Sequence, residues 1–286
     1  MKNNKQRTYS IRMMTRQEVD MAIDWAAAEG WNPGLDDGDC FYAADPHGFL
    51  VGLLDDEPIA TISAVRYGDS FGFIGFYIVK PKYRGMGYGM QLWHAAMTHL
   101  RGRTIGLDGV VAQQGNYAKS GFTLAYRNVR YQGTGGGAMP TASGIVRLDT
   151  IPFDEIHAYD TPLFPDNRQQ FLRCWLTLPR STAFGFHNKN TLAGYGVMRG
   201  CRTGYKIGPL FAECPEFAEH IFLALKAQAP KGVPVFLDTP AVNTAAVALA
   251  EKYGMTASFE TARMYAGTHP ELPTDRVYGV TTFELG

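Results

Sequence analysis

Charge of either sign is not in excess in this sequence. Lys and Arg number 27 and Asp and Glu number 27, so the formal net charge is zero. A protein that grips a phosphate backbone needs a basic surplus, so nucleic acid is not an expected partner. An anionic membrane surface gains no support for the same reason. Long apolar runs are missing too, and nothing approaches the roughly 18 residues a membrane-spanning helix requires. The opening MKNNKQRTYSIRMMTRQ is basic with no apolar core behind it, which predicts no secretory leader. Cysteine is sparse, at 40, 174, 201 and 214, with no CxxC pair and no zinc-type spacing to histidine. That predicts reduced thiols in a cytoplasmic protein and no metal site. Neither a Gly-Lys-Ser/Thr phosphate loop nor a dinucleotide GxGxxG is present.

What is abundant is apolar and aromatic material, at 45% and 13%, which excludes disorder for most of the chain. A length of 286 residues suits about two domains. Residues 8–14 read as a strand. Thr15 with Glu18 forms a capping-box pattern before a helix with Val19, Ile23, Ala26 and Ala27 on one face. Asn32-Pro33-Gly34 closes that segment, and the charged stretch after it reads as a loop. Three strand-like runs with turns at 55–58 and 67–69 predict an antiparallel meander over residues 48–79. A glycine-rich loop, a helix, a strand, a short helix (NYAKSGF) and a final strand follow. The run QGTGGGAMPTASG is the best linker. These features divide the chain into residues 1–133, a linker 134–143, and a second unit 144–286.

The two units end alike. Asp108 ends one strand before a helix carrying Lys119 and Gly121; Asp238 does so before one carrying Lys252 and Gly254. Each helix leads into a strand with an arginine, a tyrosine and a glycine (Arg130, Tyr131, Gly133; Arg263, Tyr265, Gly267). The shared order indicates a duplicated unit.

The segment Tyr83-Arg84-Gly85-Met86-Gly87-Tyr88-Gly89 carries the chemistry. Glycines allow close approach of a ligand to the main chain, and the helix that follows offers unpaired N–H groups, so the segment is either a phosphate seat or a plain turn. With its lead-in, VKPKYRGMGYG resembles the coenzyme A loop of the GNAT N-acetyltransferase superfamily, whose Arg/Gln-x-x-Gly-x-Gly/Ala pattern is filled by Arg84, Gly87 and Gly89. Val79, Pro81, Tyr83 and Gly85 match the usual approach, and the element order agrees from residue 8 to about 133.

The resemblance implies an α/β (α+β) protein of tandem GNAT folds, each a mixed, mostly antiparallel sheet flanked by helices. It implies acetyl-CoA as donor, with Arg84, Gly85, Met86, Gly87, Tyr88 and Gly89 around the diphosphate. Tyr77, Ile78 and Val79 would form a splayed strand edge for the pantetheine arm. NYAKSGF matches the family's short helix, which makes Tyr117 the candidate general acid, or else a packing tyrosine. Asn116 is a candidate coenzyme contact or a helix cap. The run Gln113-Gln114-Gly115 departs from the family, which often has an asparagine there. Many relatives also place a glutamate on the strand before the loop; SFGFIGFYIV has no carboxylate. Asp108 is therefore the first candidate for a base or an amine-orienting group, or else a strand-end cap. His94 reads as a helix-face residue.

Residues 145–286 resemble a degenerate GNAT-like domain, without the glycine loop and with Ala250 at the place of Tyr117. Such a half is expected to cover the acceptor side, with Tyr195, Arg199, Tyr205 and Lys206 as candidate interdomain residues. Trp31, Asp36, Asp37 and Asp39 would suit a cationic amine or form a solvated loop. The sequence thus predicts an N-acetyltransferase acting on the primary amine of a small metabolite. The alternatives are a protein lysine or N-terminal acetyltransferase, and a coenzyme A-binding sensor without turnover.

Overall fold

The computed structural model describes residues 7–189 and 191–286. The first six residues, part of the basic opening stretch, lie outside that set. The first half runs β1 (Tyr9–Met13), α1 (Arg16–Ala28), α2 (Asp37–Ala44), β2 (Phe49–Leu54), β3 (Glu57–Tyr67), β4 (Phe71–Val79), α3 (Tyr88–His99), β5 (Thr104–Val110), α4 (Gln114–Lys119) and β6 (Thr123–Thr134). The second runs β7 (Ile145–Arg147), α5 (Phe153–Asp160), α6 (Gln169–Trp175), β8 (Ser181–Asn188), β9 (Thr191–Gly200), β10 (Tyr205–Ala212), α7 (Pro215–Gln228), β11 (Pro234–Pro240), α8 (Thr244–Lys252), β12 (Thr256–Ala266) and β13 (Val277–Gly279).

Local chemistry accounts for most of these elements. α1 begins with the expected capping box, Thr15 and Glu18 each accepting the other's backbone N–H. Asp55 and Asp56 both take positive φ, of 50° and 64°, as the tight β2–β3 hairpin demands. α3 buries Leu92 and Ala96, and Leu100 at its C-terminal cap continues the same helical spacing. The charged stretch after α1 is not a loop: residues 37–44 form α2.

The strands join into one sheet in the order β1-β2-β3-β4-β5-β12-β6-β11-β10-β9-β8-β7, with β13 beside β10. The halves therefore exchange strands. β12 of the second half lies antiparallel between β5 and β6, and β6 of the first half pairs with β11. The sheet does not divide where the chain does. Nor is the glycine-rich run a loose connector: Gly135 N–H donates to Val233 O at 2.7 Å and Gly136 N–H to Lys226 O at 3.0 Å. One apolar cluster also spans both halves, from Phe41, Phe71 and Phe76 to Phe164, Trp175 and Phe283. Each such side chain contributes roughly 1.5–3 kcal/mol by leaving water, which binds the halves into one folded body.

Two expected free thiols are joined. Cys40 on α2 and Cys174 on α6 form a disulfide between the halves, their Cα atoms 5.1 Å apart, while Cys201 and Cys214 remain free. Among the described residues, no helix is long and apolar enough to cross a membrane.

Candidate functional site

β4 and β5 run parallel and pair from Phe71↔Thr104 to Ile74↔Leu107. Beyond that point they separate, and Phe76 takes a left-handed φ of 47°. The opening between them is the root of a cavity of about 950 Å³. Tyr77, Ile78 and Val79 line it from β4, and Leu107 to Val110 from β5.

The glycine loop closes one wall. Gly85 and Gly87 have φ of 78° and 85°, and a Cβ at either would meet nothing within 4 Å. Conformation, not crowding, requires glycine there. Gly87 caps α3 with no side-chain bond, and the N–H groups of residues 85–90 find no acceptor among the described residues. These free donors sit at the positive end of a helix macrodipole, a fitting seat for a diphosphate. At Gly89 a Cβ would come within 2.7 Å of Tyr77 Oη and 2.9 Å of Val79 Cγ2, so glycine lets α3 approach β4. Arg84 anchors the loop: its Nε donates to Val79 O at 2.7 Å and its Nη2 meets Glu29 at 2.5 Å. Arg84, Gly85, Gly87 and Gly89 line the cavity; Met86 points to solvent, and Tyr88 packs against Tyr9 instead, the rings tilted at 41°.

Tyr117 on α4 also lines the cavity. Its ring packs on Trp93 and lies over Gly109, where a Cβ would fall 2.3 Å from it. Burial, helped by the neighbouring Tyr77 hydroxyl, pushes the phenol up to about 12. It therefore stays protonated at neutral pH. Asn116 and His94 stand at the same cavity, Asn116 donating to Gln113 Oε1 at 2.7 Å.

Several expected roles do not survive the geometry. Asp108 reaches the cavity wall, but both its oxygens are taken. Arg263 donates to them at 2.9 and 2.6 Å, and Asn128 adds a third bond at 2.8 Å. A carboxylate so engaged is a strut, not a free proton acceptor. Asp36 pairs with Arg180, Asp37 with Arg199, and Asp39 with Arg16. None of the three lines the cavity; the first two join the halves. Tyr205 packs against an apolar cluster built mostly by the second half, with Val129 and Tyr131 of β6. Tyr195 is fully buried, with its hydroxyl on Asp160. Arg199 and Lys206 are buried beneath the interface and do not line the cavity. Trp31 does line it, and its carbonyl accepts from Arg130 at 2.7 Å.

Residues 280–286 carry no motif in the sequence, and all of them are buried. From this segment Phe283 and Glu284 enter the cavity wall beside Phe259 and Thr261 of β12. The only hint was a single carboxylate in an otherwise uncharged run, VTTFELG. Among the described residues no group of three or more His, Cys, Asp or Glu is placed to hold a metal ion.

Comparison with known proteins agrees with this geometry. Residues 13–122 match the model of the acetyltransferase (GNAT) family, and residues 156–279 that of an acetyltransferase (GNAT) domain. Holothin acyltransferase of Pseudoalteromonas sp. (strain SANK 73390) is 31% identical over 279 residues, covering 98% of this chain and 95% of that protein. The crystal structure of a protein assigned as an acetyltransferase from Pyrococcus horikoshii superposes with a TM-score of 0.83 at 25% identity, over 100% of this chain and 99% of the other. A tandem GNAT protein from the clavulanic acid biosynthesis pathway shares the fold, with a TM-score of 0.60 and 15% identity over 92% and 100% of the two chains.

Proposed function

The chain belongs to the GNAT acetyltransferase family, and from that premise we propose that it moves an acetyl group from acetyl-CoA to the primary amine of a small molecule by direct attack. One observation carries this reading. A single cavity takes in the free N–H groups behind Arg84, the Tyr117 phenol, and Phe259, Thr261, Phe283 and Glu284 of the second half. The relative named for acyl transfer to holothin supports acyl chemistry for a chain of this whole length.

Acetyl-CoA, when bound, supplies an activated thioester. The N–H groups of residues 85–90 hold its diphosphate, and the unpaired edge of β4 at Tyr77–Val79 offers main-chain groups to its extended arm. Tyr117 holds its proton throughout the working range, because burial keeps the phenol near 12. It donates a hydrogen bond to sulfur, and the proton passes over only as charge develops there, since a free thiol ionises at about 8.5. Neither free cysteine lines the cavity, which favours direct attack over a covalent acetyl relay. A chamber with a wall from each half suits a small amine better than a polypeptide, which needs an open groove.

The test is thiol release from acetyl-CoA with a panel of primary amines, alongside the melting temperature with coenzyme A. Amine-dependent release supports transfer. A melting shift with coenzyme A but no release with any amine would leave a binding protein without turnover.

A further inference from the structure

We propose that Glu284, delivered to the site by residues 280–286 of the second half, is the group that takes the proton from the acceptor amine. This rests on the acyl-transfer reading above.

The starting point is a vacancy in the first half: β4 has no carboxylate. At Gly75, one residue past the last β4–β5 pair, a Cβ would lie 2.0 Å from the main-chain oxygen of Glu284. Segment 280–286 thus fills the place of a side chain on β4, at the point where the strands part. The segment is firmly held there. Tyr67 donates to Leu285 O at 3.1 Å, Leu285 N–H to Thr282 Oγ1 at 2.8 Å, and Arg168 to Thr281 Oγ1 at 2.9 Å.

Glu284 is only 2% exposed, yet neither of its carboxylate oxygens has a hydrogen-bond partner among the described residues. Among the described residues no cation pairs with it within 4.0 Å, in contrast to Asp108, Asp238 and Asp37, each closed by an arginine. Leaving a buried carboxylate unpartnered is costly, and such groups concentrate at functional sites. Three cations face it from further off: Arg130 on β6, Arg199 on β9 and Lys206 on β10 all feel its charge. Arg130 and Arg199 have their own acids, Asp238 and Asp37, and Asp108 is closed by Arg263. None of the three cations occupies the Glu284 oxygens. The cavity wall it shares is aromatic, with Trp31, Phe76, Phe259 and Phe283. Together these features fit a primary ammonium on a small, flat apolar body.

The protons balance. The ammonium gives one proton to Glu284, which passes it to solvent. The free nitrogen then forms the C–N bond and the C–S bond breaks. The sulfur takes the Tyr117 proton, while Glu284 accepts the second nitrogen proton and restores the phenol. Ammonium and thioester become amide, thiol and one released proton.

The experiment uses the full chain with acetyl-CoA and three probes: 2-phenylethylamine, tyramine and tryptamine. Glu284→Gln should lower kcat at pH 7 by about 10²–10⁴-fold while leaving the melting shift with coenzyme A intact. The deficit should shrink as pH rises and free amine becomes available from solution. Calorimetric binding of the best probe to the coenzyme A-loaded protein should weaken at least about tenfold, the loss of a charge-assisted bond. Glu284→Asp, which keeps the charge, should recover part of both and serves as the reading if the glutamine variant fails to fold. Near-normal kcat in Glu284→Gln, or a loss equal at every pH and not relieved by aspartate, overturns the proposal while transfer itself stands. No turnover of any probe by the unaltered protein removes both.

Discussion

Asp108 on β5 and Arg263 on β12 meet across the exchange of strands between the halves, with Nε to Oδ1 at 2.9 Å and Nη2 to Oδ2 at 2.6 Å. The pair recurs with the halves reversed. Arg130 on β6 grips Asp238 on β11 through two contacts of 2.7 Å. Each half supplies the acid from its penultimate long strand and the base from its last one. The repeated Asp and Arg positions of the two units are therefore the rivets of a pseudo-symmetric join, and one rivet borders the cavity.

Removing one member of such a pair strands a buried charge. Arg263→Met should cost about 3–5 kcal/mol, and Asp108→Asn in addition should recover part of it. Urea denaturation of the two single variants and the double variant checks this; simple additivity would mean that the two residues are not coupled.

Acid should weaken the other join in a defined window. Burial alone would raise the Asp238 carboxyl, but Arg130, with Lys206 and Arg199 behind it, holds it below its ordinary value. A depressed carboxyl adds stability that is complete above the unfolded-state value near 3.8 and is lost as pH falls through the lower folded value. Melting temperature should fall on acidification below about pH 4, and Asp238→Asn should flatten that part of the profile.

Gly87 has a φ of 85° with open space where a side chain would go. Alanine there should cost about 1–2 kcal/mol from the left-handed conformation alone. Its larger effect should be a raised KM for acetyl-CoA, measured by thiol release, with the KM for amine little changed.

Tyr117→Phe should lower kcat and spare coenzyme A binding. Because the phenol sits near 12, its own ionisation should leave no inflection in the rate of the unaltered protein between about pH 6 and 10. A fall in rate within that window that vanishes in Tyr117→Phe would show the phenol titrating where burial should prevent it.

Gly75→Ala places a methyl group 2.0 Å from the Glu284 carbonyl. Main chain cannot swing aside as a side chain can, so segment 280–286 must shift. We expect a loss of about 1–3 kcal/mol and a fall in turnover with acetyl-CoA bound as before. Retained turnover would mean that the segment's position against β4 does not matter for catalysis.

Periodicity and turn chemistry made the elements legible from the sequence, from the Thr15–Glu18 cap to the helix after Asn243. The glycine loop at residues 83–89 was legible for the same reason. Its glycines at 85, 87 and 89 act on their own backbone and on the helix directly behind them. Such signals are local, spaced by the period of a strand or a turn of helix.

What joins distant residues was decided only in three dimensions. Asp108 looked free because its partner is 155 residues away, brought over by a strand that leaves its own half. Asp36 and Asp37 looked like acceptor ligands until Arg180 and Arg199 arrived from the second half. The Cys40–Cys174 bridge spans 134 residues. Glu284 carries no motif; its meaning comes from the gap at Gly75 that it fills. Sequence by itself determined which segments become helix, strand and glycine turn. Tertiary structure decided which charges cancel and which carboxylate stays open, because pairing across a sheet follows the path of the strands and not the spacing of the residues.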